Sequence, residues 1–298
     1  MNPLIQPKTI TSPLLITLTL LCFGFFPKVQ AVVPSPDGGY PGFNTAEGQN
    51  ALFSLITATG NVAVGWASLY SDAEGNFNTA IGTGALLFNT AEQNTATGAG
   101  ALLSNTLGSF NTANGTFALF SNTEGGSNTA VGNSALFSNT TGGRNTATGV
   151  NALFNNTTGG DNTATGVNAL ASNTTGIDNT ATGISALASN TEGTQNTATG
   201  ANALLSNTTG IANTATGEVA LDANNTGNSN TANGYQALLS NTTGSNNTAI
   251  GGGALFHNTR GSVNVAVGDF AGGNLTTGDV NIDILNPGVA GEIGRAHV

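Results

Sequence analysis

The chain has 298 residues and carries 5 basic against 15 acidic side chains, a formal net charge of −10. Only 7% of its residues are charged, while it contains 43 glycines and a single cysteine. So few cations cannot neutralise a row of phosphates, which argues against a nucleic-acid partner, and one cysteine excludes an intrachain disulfide framework.

Residues 1–31 are typical of a secretory signal peptide. Lys8 precedes an apolar run over residues 13–26, and the sequence VQA at 29–31 offers small residues for cleavage. This run of about fourteen residues is shorter than the about 20 that a membrane-spanning helix needs. We therefore predict export to a secreted or cell-surface location. The mature chain would have no membrane span, would lack Cys22, and would carry a charge near −12, from three arginines and fifteen acidic residues.

After a linker at residues 32–43, a repeat fills the chain to residue 280. An Asn opens each repeat, in the motif NTAxG or a variant of it, at positions 44, 61, 78, 94, 111, 128, 145, 162, 179, 196, 213, 230, 247 and 264. Every interval is seventeen residues except the sixteen between 78 and 94, where the turn at 91–93 lacks the usual Gly. So strict a period is typical of a solenoid, in which each repeat contacts its neighbours, so residues 44–280 form one elongated domain.

The repeat unit is NTAxGxxALxxNTxGxx, and its positions are called columns one to seventeen below. The Asn of column one, the Ala of column three and the Gly of column five occur in all fourteen repeats. Because alternate residues of a strand share a face, we predict that these three columns point inward, with stacked Asn side chains bonding between turns. The predicted fold class is all-β, a β-solenoid or β-roll with 17-residue coils.

Columns eight to ten leave an alternative open. Ala and Leu are nearly invariant in columns eight and nine, and column ten is often apolar, as at Phe120, Phe137, Phe154 and Leu205. Three adjacent apolar residues fit either a short helical turn or a strand covered on both sides, so a mixed solenoid with one strand and one helical turn per repeat is the alternative fold. The aromatic residues are expected to pack in the core or between chains. A core this thin also favours self-association, with a homotrimer as the candidate assembly.

Two repeats, NTANGYQALLSNTTGSN at 230–246 and NTAIGGGALFHNT at 247–259, resemble those of exported bacterial and phage-like tail-fibre-type proteins. The shorter motif NVAVG at 61–65 and 264–268 is similar to a strand motif in the heads of trimeric autotransporter adhesins. These resemblances imply a fibre, a stalk or an adhesin.

The end of the chain departs from the tail-fibre pattern. The last full repeat replaces its Leu by Gly272 and is expected to close the stack, and a post-repeat segment follows at 281–292. In the resembled family such a segment leads into further β-rich sequence and a chaperone domain. Here the tail at 293–298, IGRAHV, is similar to the translation of a widely used sequencing adapter. We therefore expect a fragment that lacks its C-terminal part.

Residues suited to catalysis are few. The two histidines are His257, in a variable column, and His297, in the tail. Carboxylates such as Asp161, Asp178 and Glu192 fall in turn columns and form no converging pair. We predict a protein that is not an enzyme and that has no cofactor and no metal site.

The remaining candidate site is a ladder of threonines in columns two and four. Two residues along a strand span about 6.7 Å and neighbouring strands lie about 4.8 Å apart, so these side chains would form a flat two-column array. It resembles the Thr-x-Thr faces of β-solenoid ice-binding proteins, although other residues interrupt it at both ends. The sequence TAT supplies the ladder in five successive repeats, at Thr146, Thr148, Thr163, Thr165, Thr180, Thr182, Thr197, Thr199, Thr214 and Thr216.

The function that these patterns favour is a structural repeat protein, fibre-like or adhesin-like, that binds a surface, polysaccharide or cell partner through many weak contacts. Ice binding by the Thr-x-Thr face is the alternative, and a carbohydrate-active enzyme on a solenoid is a remote third. The NTT triplets at Asn139, Asn156 and Asn173 match glycosylation sequons, but turn chemistry accounts for them equally well.

Overall fold

The computed structural model describes residues 40–288, 290–291 and 294–297. The expected signal peptide, Cys22 and residues 32–39 of the linker lie outside this range. Sixteen short strands form one parallel sheet in which the strands follow chain order. The segment Pro41–Phe43 is a short 3-10 helix. Within the described ranges, no helix has the length and apolarity that crossing a membrane requires.

The first fourteen strands occur once per repeat, at columns two to four, and the last two strands follow the last repeat. They are β1 Thr45–Glu47, β2 Val62–Val64, β3 Thr79–Ile81, β4 Thr95–Thr97, β5 Thr112–Asn114, β6 Thr129–Val131, β7 Thr146–Thr148, β8 Thr163–Thr165, β9 Thr180–Thr182, β10 Thr197–Thr199, β11 Thr214–Thr216, β12 Thr231–Asn233, β13 Thr248–Ile250, β14 Val265–Val267, β15 Ile282–Ile284 and β16 Ala296–His297.

Each strand pairs with the strand one repeat away, so every repeat is one coil of a β-solenoid. Ala147 of β7, for example, pairs with Ala164 of β8, which in turn pairs with Ala181 of β9. The predicted all-β solenoid with 17-residue coils is confirmed. Coils are numbered below from one, at Asn44, to fourteen, at Asn264.

The strand buries one face and exposes the other, as the alternation predicts. In coil seven, Asn145 and Ala147 are buried while Thr146 and Thr148 are exposed. Column five differs from the prediction, because Gly149 is half-exposed rather than inward. Its φ of 135° is a conformation that other residues rarely adopt, and a Cβ there would meet the carbonyl oxygen of Gly166. Column five therefore turns the chain out of the strand instead of filling the core.

The second segment of each coil, columns six to eleven, is neither a strand nor a helical turn. In coil seven, Asn151 and Leu153 have left-handed φ values of 56° and 53°. The Leu153 N–H donates to the carbonyl of Ala169 in the next coil, and the Asn151 N–H donates to the carbonyl of Asn133 in the previous one. In an extended strand, adjacent side chains point to opposite faces. The left-handed conformation of Leu153 breaks this alternation, so the Ala of column eight and the Leu of column nine are both buried. Both predicted versions of the segment were therefore wrong.

The core is a column of leucines beside two columns of alanines. Leu153, Ala147 and Ala152 are all fully buried in coil seven, and the same columns are buried in the coils on either side. Gly272, which replaces the column-nine Leu in coil fourteen, has a φ of 60°, so it keeps the left-handed turn of the leucines it replaces.

Two ladders of buried asparagine run the length of the stack. In column one, the Asn145 Nδ2 donates to the Oδ1 of Asn128 and to the carbonyl of Gly159, at 3.2 and 2.8 Å. In column twelve, the Asn156 Nδ2 donates to the Oδ1 of Asn139 and to the same Gly159 carbonyl, at 2.8 and 2.9 Å. The predicted bonding between stacked column-one asparagines is confirmed, and column twelve adds a second ladder.

The ladders change at both ends of the stack. Asp72 takes the place of Asn in column twelve of coil two, where its carboxylate accepts from the N–H of Gly75 and the Nδ2 of Asn78. Leu275 takes the same place in coil fourteen and leaves the Oδ1 of Asn258 unpaired. Strands β15 and β16 extend the sheet past coil fourteen.

Candidate binding faces of the coil stack

The strand face is built from columns two and four of the parallel sheet. In the TAT coils its threonines are exposed on both sides of a fully buried Ala, such as Ala164 between Thr163 and Thr165. The branched Cβ of threonine restricts its side-chain rotation, so each residue offers one hydroxyl and one methyl group in few orientations. The face therefore presents the same small groups once per coil.

The structure brings all ten predicted threonines into one patch over β7–β11. Thr146, Thr163, Thr180, Thr197 and Thr214 are register partners in one row, and Thr148, Thr165, Thr182, Thr199 and Thr216 are register partners in the other. Four inter-strand spacings of about 4.8 Å make this patch about 19 Å long.

The two rows end differently. The column-two row remains threonine over eleven strands, from Thr79 to Thr248. The column-four row is broken at Val131 on one side and at Asn233 on the other. The two-column array is therefore confined to five coils, whereas a single row of threonine covers most of the stack.

The other predicted chemical groups stay apart. Asp161 forms an exposed ion pair with Arg144, whose Nε and NH2 donate to the carboxylate, and this hydrogen bonding lowers the pKa of Asp161. Asp178 and Glu192 are exposed turn residues. No group of three His, Cys, Asp or Glu residues that could hold a metal occurs in the part of the chain that the structure describes.

The two histidines belong to different parts of the stack. His257 lies on the surface, where its Nδ1 is 2.7 Å from the carbonyl oxygen of Gly273 and its ring packs edge-on against Phe256. His297 belongs to β16 at the far end of the sheet. The carbonyl of Gly273 accepts the bond, so the Nδ1 of His257 carries the proton.

The sequon asparagines are not accessible. Asn139, Asn156 and Asn173 are fully buried members of the column-twelve ladder, and each Nδ2 donates twice. A glycan could be attached there only if the ladder were broken.

A second face, not foreseen as a site, is formed by columns six to eleven and is called the turn face below. These columns contain no charged residue in coils one to ten, and the first acidic residues there are Glu218 and Asp222 of coil eleven. Aromatic rings stack along column ten. The ring centroid of Phe137 lies 5.1 Å from the ring centroids of both Phe120 and Phe154.

Exposed aliphatic residues occupy another column of the turn face. In column six, Val150, Val167 and Ile184 are exposed in three successive coils. The lack of charge was visible in the sequence as an uncharged block in each of the first ten repeats, but only the coil geometry shows that these blocks form one continuous strip.

No protein-family model matches this chain, and no curated protein is significantly similar to it.

Proposed function

We propose that this chain is a non-enzymatic structural protein, exported and displayed outside the cell, whose coil stack binds a surface or partner by many weak contacts. The observation that carries this proposal is the register of the sheet. Because each strand pairs with its neighbour residue for residue, every exposed group recurs at a constant interval along the stack. A ligand with repeating chemistry, such as a polysaccharide or a cell surface, can then engage several coils at once.

Removal of whole coils tests this proposal. Deleting residues 162–195 removes coils eight and nine and leaves the remaining repeats in phase. Because contacts add along the stack, we expect dissociation from cells or immobilised polysaccharide to become faster as coils are removed, measured by biolayer interferometry. Deletion of residues 94–127, also two coils, is the matched control and should weaken binding to a similar extent. Absence of binding, or binding that is independent of coil number, would refute multivalent attachment.

Ice binding is the second candidate, supported by the exposed two-row threonine array over β7–β11. The backbone N–H and C=O groups of the strands are hydrogen-bonded within the sheet. This face therefore offers water only threonine hydroxyl and methyl groups at a regular spacing. Such a face could order water in a lattice that matches ice.

A matched pair of variants tests this alternative. Thr180→Lys with Thr197→Lys places two long cations in the array, whereas Thr175→Lys with Thr209→Lys places them at exposed sites in column fourteen. Glu124 and Glu192 occupy that column in other coils, so it accepts charge. If the strand face binds ice, the parent chain and the control pair inhibit ice recrystallisation and the array variant does not. An inactive parent, or equal activity in all three, would rule out this face.

A further inference from the structure

The turn face combines a lack of charge with large apolar side chains. It is free of charge over ten successive coils, in a chain with 15 acidic and 5 basic residues. It also carries the stacked rings of column ten and the exposed aliphatic residues of column six. Exposed apolar side chains that recur along one face of a protein mark an interaction site.

The repeat period limits what can cover such a strip. A partner must match one side chain per coil over many coils to stay in register, and a second copy of this chain has that period by construction. Two copies are both acidic, so they repel each other except through a face without charge. The strand face of coils two to fourteen is also uncharged, but it presents mainly threonine, whereas the turn face of coils one to ten exposes larger apolar side chains.

The side-chain sizes in column ten are self-complementary. Coils five to seven carry phenylalanine in column ten, and these rings form a ridge. Coils eight and nine carry Ala171 and Ala188 there, which leaves a hollow two coils long beside the ridge. A two-fold axis between coils seven and eight, perpendicular to the stack, places coil seven of one copy against coil eight of the other. The opposed column-ten residues are then Phe154 with Ala171, Phe137 with Ala188, and Phe120 with Leu205.

We propose that two copies of this chain pair antiparallel through their turn faces, with the phenylalanine ridge of each copy in the alanine hollow of the other. This is an isologous contact, in which each pairing occurs twice. All fourteen coils overlap, with the acidic residues of coils eleven and fourteen facing the uncharged coils four and one. The contact is about 65 Å long and, at a width of about 10 Å, covers about 650 Å² of each chain, near the about 800 Å² of a standard interface. The pairing is independent of which ligand the strand face binds.

A ridge-and-hollow exchange tests the pairing. Ala171→Phe fills the hollow, and Phe154→Ala removes part of the ridge. Phe occupies column ten in coils one, five, six, seven and thirteen, and Ala occupies it in two coils, so the fold accepts both substitutions. Sedimentation of the full chain under reducing conditions, which prevent a disulfide through Cys22, gives the dimer dissociation constant.

We expect the parent chain to be a dimer and each single variant to raise the dissociation constant about tenfold or more, because one carries a clash and the other a void. The double variant exchanges ridge and hollow at this position and should return to within about threefold of the parent. Thr180→Lys, on the strand face, is the control and should leave the dimer unchanged. Circular dichroism confirms that each variant is folded.

A variant that tightens the dimer is also tested, because misfolding could weaken the dimer but could not strengthen it. The same axis places Asp222 of coil eleven opposite Leu103 of coil four, a charge against an apolar side chain. Asp222→Leu, with leucine already present in this column at Leu205 and Leu239, should tighten the dimer about tenfold. A monomeric or trimeric parent, a dimer indifferent to Ala171→Phe, or a dimer not tightened by Asp222→Leu would overturn the proposal.

Discussion

Glycine holds two columns of this coil for different physical reasons. In column five the backbone requires a positive φ, as at Gly149, whereas in column fifteen the requirement is space. A Cβ on Gly159 would lie 2.5 Å from both the Oδ1 of Asn156 and the carbonyl oxygen of Gly176. In the seventeen-residue coils with Asn in column twelve, the buried asparagine ladders therefore determine the column-fifteen glycine, whereas coil one, with Leu55 in column twelve, has Ala58.

Gly159→Ala tests this requirement against Gly160→Ala in the same coil. The first substitution forces the new methyl group into the ladder and should lower the free energy of unfolding of the affected coils by about 1–3 kcal/mol. Column sixteen accepts Ile177 and Ile211 in other coils, so the second should be nearly neutral. Amide hydrogen exchange of coils six to eight measures both, and equal effects would mean that the ladder does not constrain column fifteen.

Asp72 is the one acidic residue of the column-twelve ladder, and its side chain is fully buried. Burial raises its pKa to about 6, although hydrogen bonds from Asn78, Gly75 and Asn89 oppose this change. The folded pKa lies above the unfolded value of about 3.9, so folding favours the protonated form. The stabilising contribution is complete below the unfolded pKa and is lost as the pH rises through about 6.

We therefore expect coils one to three to be more stable at pH 5 than at pH 8, by on the order of 1 kcal/mol. Asp72→Asn restores the residue that most coils carry in this column and should remove this pH dependence while stabilising the coils at pH 8. Hydrogen exchange at the two pH values provides the measurement. Protection that falls at pH 5, or a dependence that survives in Asp72→Asn, would contradict this assignment.

At the scale of the element, one coil is the unit of structure. Its strand, turn face and ladder asparagines form hydrogen bonds to the coils above and below. After seventeen residues the chain reaches the equivalent position in the next coil. The sixteen-residue coil shows which part tolerates change. Ala91 takes the place of the column-fifteen glycine, and its carbonyl accepts from both Asn78 and Asn89. The missing residue is therefore absorbed in the turn columns, outside the ladders.

Deletion of residues 162–178 tests whether a coil is a modular unit. It joins Asp161 to Asn179 and lets β7 pair with β9 in the same register, so the shortened chain should fold with a melting temperature within a few degrees of the parent. Deletion of residues 162–170 removes about half of the coil and should strongly destabilise the central coils. Thermal unfolding followed by circular dichroism compares the two, and equal melting temperatures would show that register is not essential.

At the scale of the whole molecule, stability is distributed along the stack. A central coil bonds to neighbours on both sides, whereas a terminal coil has a regular neighbour on one side only. The asparagine ladders are also incomplete at the ends, at Asp72 and at Leu275. Unfolding should therefore begin at the termini and proceed inward.

Hydrogen exchange along the chain tests this order of unfolding. We expect the amides of β7–β9 to be about tenfold or more better protected than those of β1 and β15, since opening a central coil breaks two interfaces. The exchange is measured on chain diluted below the dimer dissociation constant, so that a partner bound at the turn face does not contribute to the protection. Uniform protection from β1 to β15 would instead indicate a single cooperative unit.

The sequence by itself determined the period, the solenoid, the exposed rows such as Thr146 and Thr148, and the buried column-one asparagines. These follow from local rules, because a fixed repeat stacks identical residues and a strand alternates its faces. The path of columns six to eleven and the half-exposed Gly149 were decided only in the tertiary structure. The left-handed φ of Leu153 is maintained by hydrogen bonds to adjacent coils, which the seventeen letters of one repeat do not contain. The column-twelve ladder and the uncharged turn face likewise arise from contacts between coils, so they become visible only once the coils are stacked.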